Sequence, residues 1–216
     1  MTDKNTLRIT EIFLSLQGES SRVGIPTVFV RLTGCPLRCQ YCDTAYAFNG
    51  GTVKPIEEII DQVKSYQTPF VTVTGGEPLA QKTCLILMEK LCDQGFSVSL
   101  ETSGAIDISK VDQRVNKVMD LKTPASLEEE KNDYQNLEFI NDQDEIKFVI
   151  CDRNDYKWSK NILEKYKLAD RCQILFSPVA DALSPSNLAD WIIEDRLPVR
   201  FQIQLHKLLW KDEPGH

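Results

Sequence analysis

The sequence predicts an α/β protein built as an incomplete, open β/α barrel of about six parallel strands with reduced helical content. Short apolar, β-branched segments alternate along the chain with amphipathic helical patterns, as is typical of parallel strands joined by crossover helices. These segments show little polar alternation, which is expected of strands covered on both faces. The 216 residues suffice for one domain but fall short of the ~250 residues of a complete eight-unit barrel.

Seven apolar segments are predicted to form the strands, and an eighth near the N-terminus is a further candidate. Amphipathic stripes predict four helices; Pro55 suits a first helical position, and Gly95 suits the cap that follows a helix. The predicted strands cover residues 27–32, 70–74, 97–101, 117–121, 145–150, 173–176 and 199–204, with residues 7–13 as the further candidate. The predicted helices cover residues 55–66, 79–94, 152–168 and 185–193.

A single domain is expected over residues 1–216, with its core at about residues 7–210. Residues 123–143 are rich in Glu, Asn and Asp, which predicts a polar surface insertion that is helical in part. A short C-terminal tail follows Trp210.

The charge and the apolar runs of the chain limit the classes of partner that it is expected to bind. Asp and Glu number 32 against 25 Lys and Arg, so the formal net charge is -7. Proteins that bind a phosphate backbone usually carry a basic excess, so nucleic acid is not an expected partner. No apolar run approaches the ~18–20 residues that cross a bilayer, and no leader-like segment opens the sequence. These features predict a cytoplasmic protein without a membrane partner.

The seven cysteines divide into two groups. Their odd number and the reducing compartment disfavour a disulfide framework. Four of them are scattered in apolar surroundings, where a free cysteine behaves as a small buried hydrophobe, and are predicted to be core thiols. These are Cys84, Cys92, Cys151 and Cys172.

The other three, Cys35, Cys39 and Cys42, form a C-x-x-x-C-x-x-C motif directly after the strand at 27–32. Thiolates this close together are typical metal ligands. A closed structural zinc site needs four ligands, usually as two separated pairs, and the chain has no second C-x-x-C. A four-iron cluster held by three thiolates explains the number better, since it leaves one iron open to a ligand.

A second motif, Gly75-Gly76-Glu77-Pro78, follows the strand at 70–74. Glycines let the backbone approach a ligand closely, and the Glu77 carboxylate could neutralise an ammonium group. Read alone, the motif is equally a strand-to-helix turn. The phosphate-loop and dinucleotide-binding patterns are absent from the sequence, which removes support for nucleotide hydrolysis and hydride transfer.

Together the two motifs resemble the radical S-adenosylmethionine (SAM) superfamily. Further segments resemble one of its families, the 7-carboxy-7-deazaguanine synthases (QueE), over about residues 7–210. The L-Q-G-E, C-D-T and terminal H-K elements are specific to this family. The resembling segments are residues 13–19, 24–26, 29–35, 42–44, 101–104, 120–124, 144–150 and 204–207.

The resemblance implies an activity and its cofactors. The substrate is expected to be 6-carboxy-5,6,7,8-tetrahydropterin, converted by hydrogen abstraction, ring contraction and loss of ammonia into 7-carboxy-7-deazaguanine, a precursor of queuosine and other 7-deazapurines. A [4Fe-4S] cluster, SAM and Mg²⁺ are the implied cofactors. The implied partners are a flavodoxin or ferredoxin as reductant and a second copy of the chain in a homodimer.

The resemblance also implies roles for individual residues, none of which is catalytic by its side chain alone. Gln17 has the donor and acceptor that a pterin edge requires, and the planar fork of Arg31 suits a carboxylate. The expected substrate contacts are Leu16, Gln17, Gly18, Glu19, Arg31, Thr74 and His206, and Thr44 is the expected Mg²⁺ ligand. The expected SAM contacts are Tyr41, Gly76, Glu77, Ser103, Asp120, Leu121, Lys122, Ser177 and Pro178, and the cluster ligands are Cys35, Cys39 and Cys42.

Some departures and alternatives stay open at this point. Of the family's S-P-K sequence only Lys122 is kept, so side-chain roles for Asp120 and Leu121 are in doubt. Glu19 is also consistent with a surface carboxylate, and His206 with a structural side chain. The enzymatic alternative is an activating enzyme for glycyl-radical proteins. The non-enzymatic alternative is an iron–sulfur or zinc module.

Overall fold

A nine-stranded sheet organises the computed structural model, which describes residues 5–211 and 215. Its order is β3-β1-β2-β4-β5-β6-β7-β8-β9. All neighbours from β2 to β9 are parallel, whereas β1 runs antiparallel to both β2 and β3. The strands are β1 (Thr6–Leu16), β2 (Pro26–Leu32), β3 (Thr52–Pro55), β4 (Phe70–Gly75), β5 (Ser97–Thr102), β6 (Asn116–Asp120), β7 (Glu145–Ile150), β8 (Gln173–Pro178) and β9 (Arg200–Phe201).

The predicted open β/α architecture is confirmed, because β3 and β9 are separate edges of the sheet. Strand β2 and the strands from β4 to β8 fall where the apolar segments predicted them. The last strand is an exception, since the prediction of 199–204 was wrong beyond Phe201. There the side chain of Gln202 turns to accept a hydrogen bond from the Ser20 N–H at 2.9 Å, and strand geometry ends. The short polar strand β3 had no apolar signal.

Five α-helices lie in the described ranges: α1 (Ile56–Ser65), α2 (Cys84–Asp93), α3 (Arg153–Tyr166), α4 (Pro185–Asp195) and α5 (Leu205–Trp210). The prediction placed the start of α2 five residues too early, because residues 78–80 form a separate 3-10 turn after Glu77. Helix α5 was not predicted. No helix in the described part of the chain is long and apolar enough to cross a membrane.

The polar segment after β6 contains three 3-10 turns, Pro124–Ser126, Glu129–Lys131 and Tyr134–Phe139, instead of an α-helix. Residues 103–115, between β5 and β6, also hold no helix. Two of the crossovers therefore lack the helix of a regular β/α unit, and the predicted reduction in helical content is confirmed.

One face of the sheet carries the apolar core. Side chains such as Ile59, Val63 and Leu87 from α1 and α2 are fully buried against strand residues of the same cluster. Burying such a side chain contributes about 1.5–3 kcal/mol to folding. Cys84 and Cys172 are buried, in line with the core-thiol prediction, and burial raises the pKa of Cys172 to about 12. Cys92 and Cys151 are half-buried.

The other face is polar near the carboxyl ends of the strands. Neighbouring strands each direct one polar side chain there: Arg31 from β2, Thr74 from β4, Glu101 from β5, Asp120 from β6 and Lys147 from β7. Consecutive residues of a strand point to opposite faces of the sheet. Each strand therefore contributes side chains both to the apolar core and to the interior of the open barrel, which we call the lumen. The sequence pattern predicted little alternation between polar and apolar residues in the strands, and it therefore missed these positions. A single charged residue in an apolar strand does not produce a recognisable alternating pattern.

Residues 17–22, which we call the plug, fill the lumen at the amino ends of the strands. Ser21 donates to Glu145, the first residue of β7, with an Oγ–Oε1 distance of 2.6 Å. Arg22 donates to the carbonyl of Ser97, the first residue of β5, at 3.1 Å. The plug closes this end of the lumen, so the carboxyl end is left as a cavity.

Candidate active site

A cavity of about 370 Å³ opens at the carboxyl ends of the parallel strands. This volume is typical of a small-molecule site, and this end of a β/α sheet is where such sites lie. Most of the side chains expected from the sequence to bind ligands meet in its wall. They are Leu16, Gln17, Gly18, Glu19, Arg31, Cys35, Cys39, Tyr41, Cys42, Thr44, Thr74, Gly76, Ser103, Asp120, Lys122 and His206.

Four expected SAM contacts lie outside this wall: Glu77, Leu121, Ser177 and Pro178. Leu121 and Ser177 are almost completely buried, with exposed fractions of 0% and 1%. Leu121 belongs to the apolar core cluster, since it follows the lumen-facing Asp120 and points to the opposite face. The structure therefore does not bring these side chains to the cavity, and their role in SAM binding stays a prediction.

The three clustered cysteines share one loop that starts after β2. All three are half-buried and line the cavity, and burial raises the pKa of each thiol, that of Cys39 to about 11. Ligation by iron would overcome this cost, because a bound metal removes the thiol proton. Within residues 5–211 and 215, no three His, Cys, Asp or Glu side chains converge on a single metal ion. A four-iron cluster does not need such convergence, because each thiolate binds a different iron.

The polar insertion after β6 supports the cysteine loop. The backbone N–H of Gln40 donates to the carbonyl of Ser126 at 3.1 Å, and that of Arg38 donates to Oε1 of Glu128 at 2.5 Å. The insertion is itself attached to α3, where Asp155 accepts a hydrogen bond from the Ala125 N–H at 3.0 Å. The segment that reads as a surface excursion thus holds the thiol-bearing loop against the barrel.

The Gly75-Gly76 turn packs directly on the cysteine loop. A Cβ atom on Gly76 would lie 2.4 Å from the Gly34 carbonyl oxygen and 2.6 Å from Cβ of Cys35, so only glycine fits. Gly75 has a φ of 150°, which L side chains rarely adopt. The thiols and the two glycines, 41 residues apart between Cys35 and Gly76, are therefore neighbours on the cavity wall.

Glu77 lies beneath the wall with its carboxylate occupied by protein donors. It accepts hydrogen bonds from the Ser103 N–H at 2.7 Å, the Ser103 hydroxyl at 2.5 Å and the Thr102 hydroxyl at 3.0 Å. The Leu79 N–H donates to it at 3.0 Å. These bonds connect the loop after β4 to the loop after β5, so Glu77 orders the turn that presents Gly76 and Ser103.

A carboxylate that the sequence reasoning left without a role, Glu101, lies in the cavity wall. It accepts from Nε2 of Gln17 at 3.2 Å and from the Thr74 hydroxyl at 2.9 Å. Burial raises its pKa above the usual value, although the Lys147 ammonium acts in the opposite direction. Its signal in the sequence was a charged residue at the carboxyl end of the predicted strand 97–101.

Lys147 is the second side chain that the sequence left without a role. Its Nζ lies 2.5 Å from Oε2 of Glu19 and 3.8 Å from Oδ2 of Asp120. Burial disfavours both charges, but their attraction holds the pKa of Glu19 below and that of Lys147 well above the usual values. Lys122 contacts the same oxygen of Asp120 at 2.8 Å. A chain of alternating charges therefore joins the plug to the end of β6.

Asp43 and Thr44 of the C-D-T segment lie on the rim of the cavity. The Thr44 hydroxyl donates to Oδ1 of Asp43 at 2.8 Å. Oδ2 of the same carboxylate accepts from Nε2 of Gln204 at 3.2 Å and lies 3.7 Å from Nζ of Lys207. Gln204 also donates to Glu19 at 2.8 Å. The rim and the plug are thereby connected through the residue that precedes α5.

Gly18 and His206 are in close contact, so a side chain at position 18 is expected to move the imidazole. A Cβ atom on Gly18 would lie 2.4 Å from Nδ1 of His206. We expect Gly18→Ala to displace the imidazole from the cavity and to weaken about tenfold the binding of the pterin that the family resemblance implies, with little change in the unfolding temperature because His206 is only half-buried. Calorimetric titration checks this, and thermal unfolding of the same variant is the control for the fold. Equal affinity for this ligand in Gly18→Ala and in the unmodified protein would contradict the expectation that His206 contacts the substrate.

Comparison with known proteins agrees with this geometry. Residues 29–174 match the Radical SAM superfamily. The fold resembles the crystal structure of QueE from Escherichia coli, with a TM-score of 0.72 at 23% identity, covering 93% of this chain and 95% of that one. It also resembles Streptococcus suis SuiB bound to S-adenosylmethionine, with a TM-score of 0.51 at 15% identity, over 79% of this chain and 45% of that chain. Fold, thiols and glycine turn define a radical SAM protein.

Among curated proteins, the chain is 43% identical to the 7-carboxy-7-deazaguanine synthase of Chlorobaculum tepidum, over 99% of this chain and 98% of the relative. It is 42% identical to that of Koribacter versatilis, over 96% and 98%. The chain belongs to the 7-carboxy-7-deazaguanine synthase family of the radical SAM superfamily, and its cofactors are a [4Fe-4S] cluster and SAM.

Proposed function

We propose that this protein converts 6-carboxy-5,6,7,8-tetrahydropterin into 7-carboxy-7-deazaguanine, in the route to queuosine and related 7-deazapurines. The observation that supports this most directly is the composition of one cavity. Three thiols and a glycine turn line it together with an arginine, an amide and buried carboxylates. This is the arrangement that a cluster-bound cofactor and a carboxylated pterin need in order to meet.

The residues present fit the two cofactors. Cys35, Cys39 and Cys42 would hold three irons of the cluster, which leaves the fourth for SAM. When bound, the cluster and SAM together supply the radical that abstracts hydrogen from the substrate. Oδ1 of Asp120 is buried at the wall with no hydrogen-bond partner among the described residues, and a polar group of SAM would satisfy it. The side chain of Asp120 could therefore bind SAM, although this residue departs from the family pattern.

The pterin would lie against the plug. Gln17 is held by Thr72 and Glu101 at 3.1 and 3.2 Å, so its amide is oriented before a ligand arrives. Such preorganisation reduces the entropy that binding costs. The guanidinium of Arg31 would bind the substrate carboxylate through a bidentate pair. Glu101 adds an acceptor for the ring N–H groups of the pterin.

Thr44 would bind Mg²⁺ on the rim of the same cavity. Mg²⁺ prefers oxygen ligands and keeps several of its waters, so one hydroxyl together with substrate oxygens would complete the shell. The adjacent carboxylate of Asp43, held 2.8 Å from the Thr44 hydroxyl, adds negative charge beside the ion. Removing Mg²⁺ from the assay with a chelator tests whether turnover requires the ion.

The partners are proposed on chemical grounds. A cluster that gives up one electron per activation needs a one-electron reductant such as a flavodoxin or ferredoxin. Seven free cysteines and a cluster with an open iron suit the reducing cytoplasm. A homodimer is the oligomeric state expected of this family, and light scattering of the full chain tests it.

The experiment that tests the function is an anaerobic turnover assay. The full chain is reconstituted with iron and sulfide, reduced, and supplied with SAM, Mg²⁺ and carboxytetrahydropterin. We expect carboxydeazaguanine and ammonia in equal amounts. Radical cleavage of SAM without these products would indicate another substrate, such as the protein backbone used by glycyl-radical activating enzymes. The absence of SAM cleavage would indicate a module without enzymatic activity.

Arg31→Ala is expected to raise the KM for the carboxylated pterin at least tenfold, while SAM cleavage without substrate continues. The reason is that the variant loses a bidentate contact to an anion but none of the cluster ligands. Steady-state kinetics with each ligand varied in turn measures this. A variant that keeps the KM of the unmodified protein would refute the role of Arg31.

A further inference from the structure

The guanidinium of Arg31 is held from one side by a carboxylate that has no assigned role. Nε of Arg31 donates to Oε1 of Glu11 at 2.7 Å, and the Tyr46 hydroxyl donates to the same oxygen at 2.8 Å. The guanidinium carbon lies 5.8 Å from the ring centres of both Phe13 and Tyr46. The side chains of Arg31 and Glu11 are only 15% and 22% exposed, so water weakens their pairing little.

A β-bulge in β1 is what places Glu11 beside Arg31. Ile9 pairs with Leu32, and Glu11 pairs with Arg31. Two steps along β1 therefore correspond to one step along β2, so β1 contains one extra residue. Leu32 and Arg31 point to opposite faces of the sheet, because they are consecutive residues of one strand. The bulge therefore turns Glu11 from the buried face of Ile9 to the cavity face. Bulges next to active sites commonly redirect a side chain in this way.

We propose that Glu11 is a positioning residue that orients Arg31 to receive the carboxylate of the substrate. This inference rests on the proposed function, in which Arg31 binds that carboxylate. Glu11 accepts the hydrogen bond from Nε of Arg31. The two terminal nitrogens of Arg31 donate to no group within residues 5–211 and 215. These nitrogens are thereby left as a fork that matches a carboxylate.

The arrangement explains how a long, flexible side chain can select one ligand. A free arginine must be ordered when the anion binds, and this ordering reduces affinity. With Glu11 on one edge and two rings beside it, the guanidinium is ordered beforehand. Glu11 does not line the cavity, so its effect reaches the substrate only through Arg31.

The test compares two ligands on the cluster-reconstituted full chain with SAM bound. One is 6-carboxypterin, and the other is pterin without the carboxylate. Calorimetric titration of Glu11→Ala is expected to show about tenfold weaker binding of 6-carboxypterin and binding of plain pterin within twofold of the unmodified protein. Kinetically, the KM for the carboxylated substrate should rise while kcat changes less than threefold.

Two further variants sharpen the result. Glu11→Gln keeps an oxygen that can accept from Nε of Arg31, so it should recover most of the lost affinity. Glu57→Ala is the matched control, because this glutamate is exposed on α1 and does not line the cavity. It should bind both ligands as the unmodified protein does.

Several outcomes would overturn the proposal. Equal loss of both ligands in Glu11→Ala and in Glu11→Gln would mean a merely structural role, and no loss of either would mean no role. If Arg31→Ala still prefers 6-carboxypterin, Arg31 is not the carboxylate-binding residue and Glu11 cannot act through it. Failure of the proposed function looks different, since the unmodified protein would then form no carboxydeazaguanine and show no preference for the carboxylated ligand.

Discussion

Replacing Cys39 by alanine is expected to abolish turnover and to prevent stable assembly of the iron–sulfur cluster. The cavity has three clustered thiols, and the remaining four cysteines lie outside its wall. Two thiolates cannot hold a four-iron cluster that already leaves one iron open to SAM. We expect the variant to lose the visible absorbance of the cluster, most of its bound iron, and at least about a thousandfold in rate.

The matched control is Cys92→Ala, since Cys92 is half-buried, packs against the core and does not line the cavity. It should retain iron and activity. Circular dichroism of both variants separates loss of the cluster from loss of the fold. Full iron content and turnover in Cys39→Ala would contradict the ligand assignment, because the third protein ligand would then have to come from elsewhere.

Replacing Lys147 by methionine is expected to cause the largest loss of stability among the cavity residues. Glu19 would keep its charge in a buried place without its cation, whereas Asp120 would keep Lys122 at 2.8 Å. Removing one partner of a buried ion pair typically costs 3–5 kcal/mol, and we expect about 3 kcal/mol here because the cavity admits water. Denaturant unfolding near neutral pH measures this.

The stability loss of Lys147→Met should depend on pH in a definite direction. The folded-state pKa of Glu19 is lowered from its ordinary 4.5, so its contribution is present above pH 4.5 and is lost as the pH falls through the lowered value. The pKa of Lys147 is raised above 10.5, so its contribution is present below that pH and is lost as the pH rises through the raised value. The deficit of the variant should therefore be full between these limits and shrink below pH 4.5.

Two variants control for this result. Glu19→Gln combined with Lys147→Met removes both charges and should recover more than half of the lost stability. Lys117→Met breaks a pair that is buried more deeply, with Nζ 2.9 Å from Asp144 and exposed fractions of 4% and 1%, but away from the cavity. It should lose stability without loss of ligand affinity, whereas Lys147→Met should lose both. Unchanged pterin and SAM affinity in Lys147→Met would confine Lys147 to a structural role.

Much of the candidate site could be predicted because its residues lie in short, local motifs. The cysteine spacing, the glycine turn and the L-Q-G-E segment each occupy fewer than nine consecutive residues. The first two follow the parallel strands β2 and β4, so the rule that parallel strands end at one edge of the sheet brings these two together. The cavity wall contains both, as this rule requires. The L-Q-G-E segment also lines the wall, but it follows the antiparallel strand β1, so the rule did not predict its place.

Glu101, Lys147 and Glu11 could not be found in this way, because each acts through a partner that is distant in sequence. Lys147 meets Glu19 across 128 residues, and Glu101 meets Gln17 across 84. Glu11 faces Arg31 only because of a bulge, and no residue type announces a bulge in the sequence of β1. A strand pattern read with a period of two would place Glu11 on the wrong face.

The sequence by itself determined the class of fold, the place of most strands and the identity of the thiol and glycine motifs, because hydrophobic periodicity and ligand spacing are local properties of a chain. Only the tertiary structure decided which charges pair, which face Glu11 takes, and which SAM candidates stay out of the cavity. These depend on register and strand order, and a shift of one residue along a strand moves a side chain from the core to the lumen.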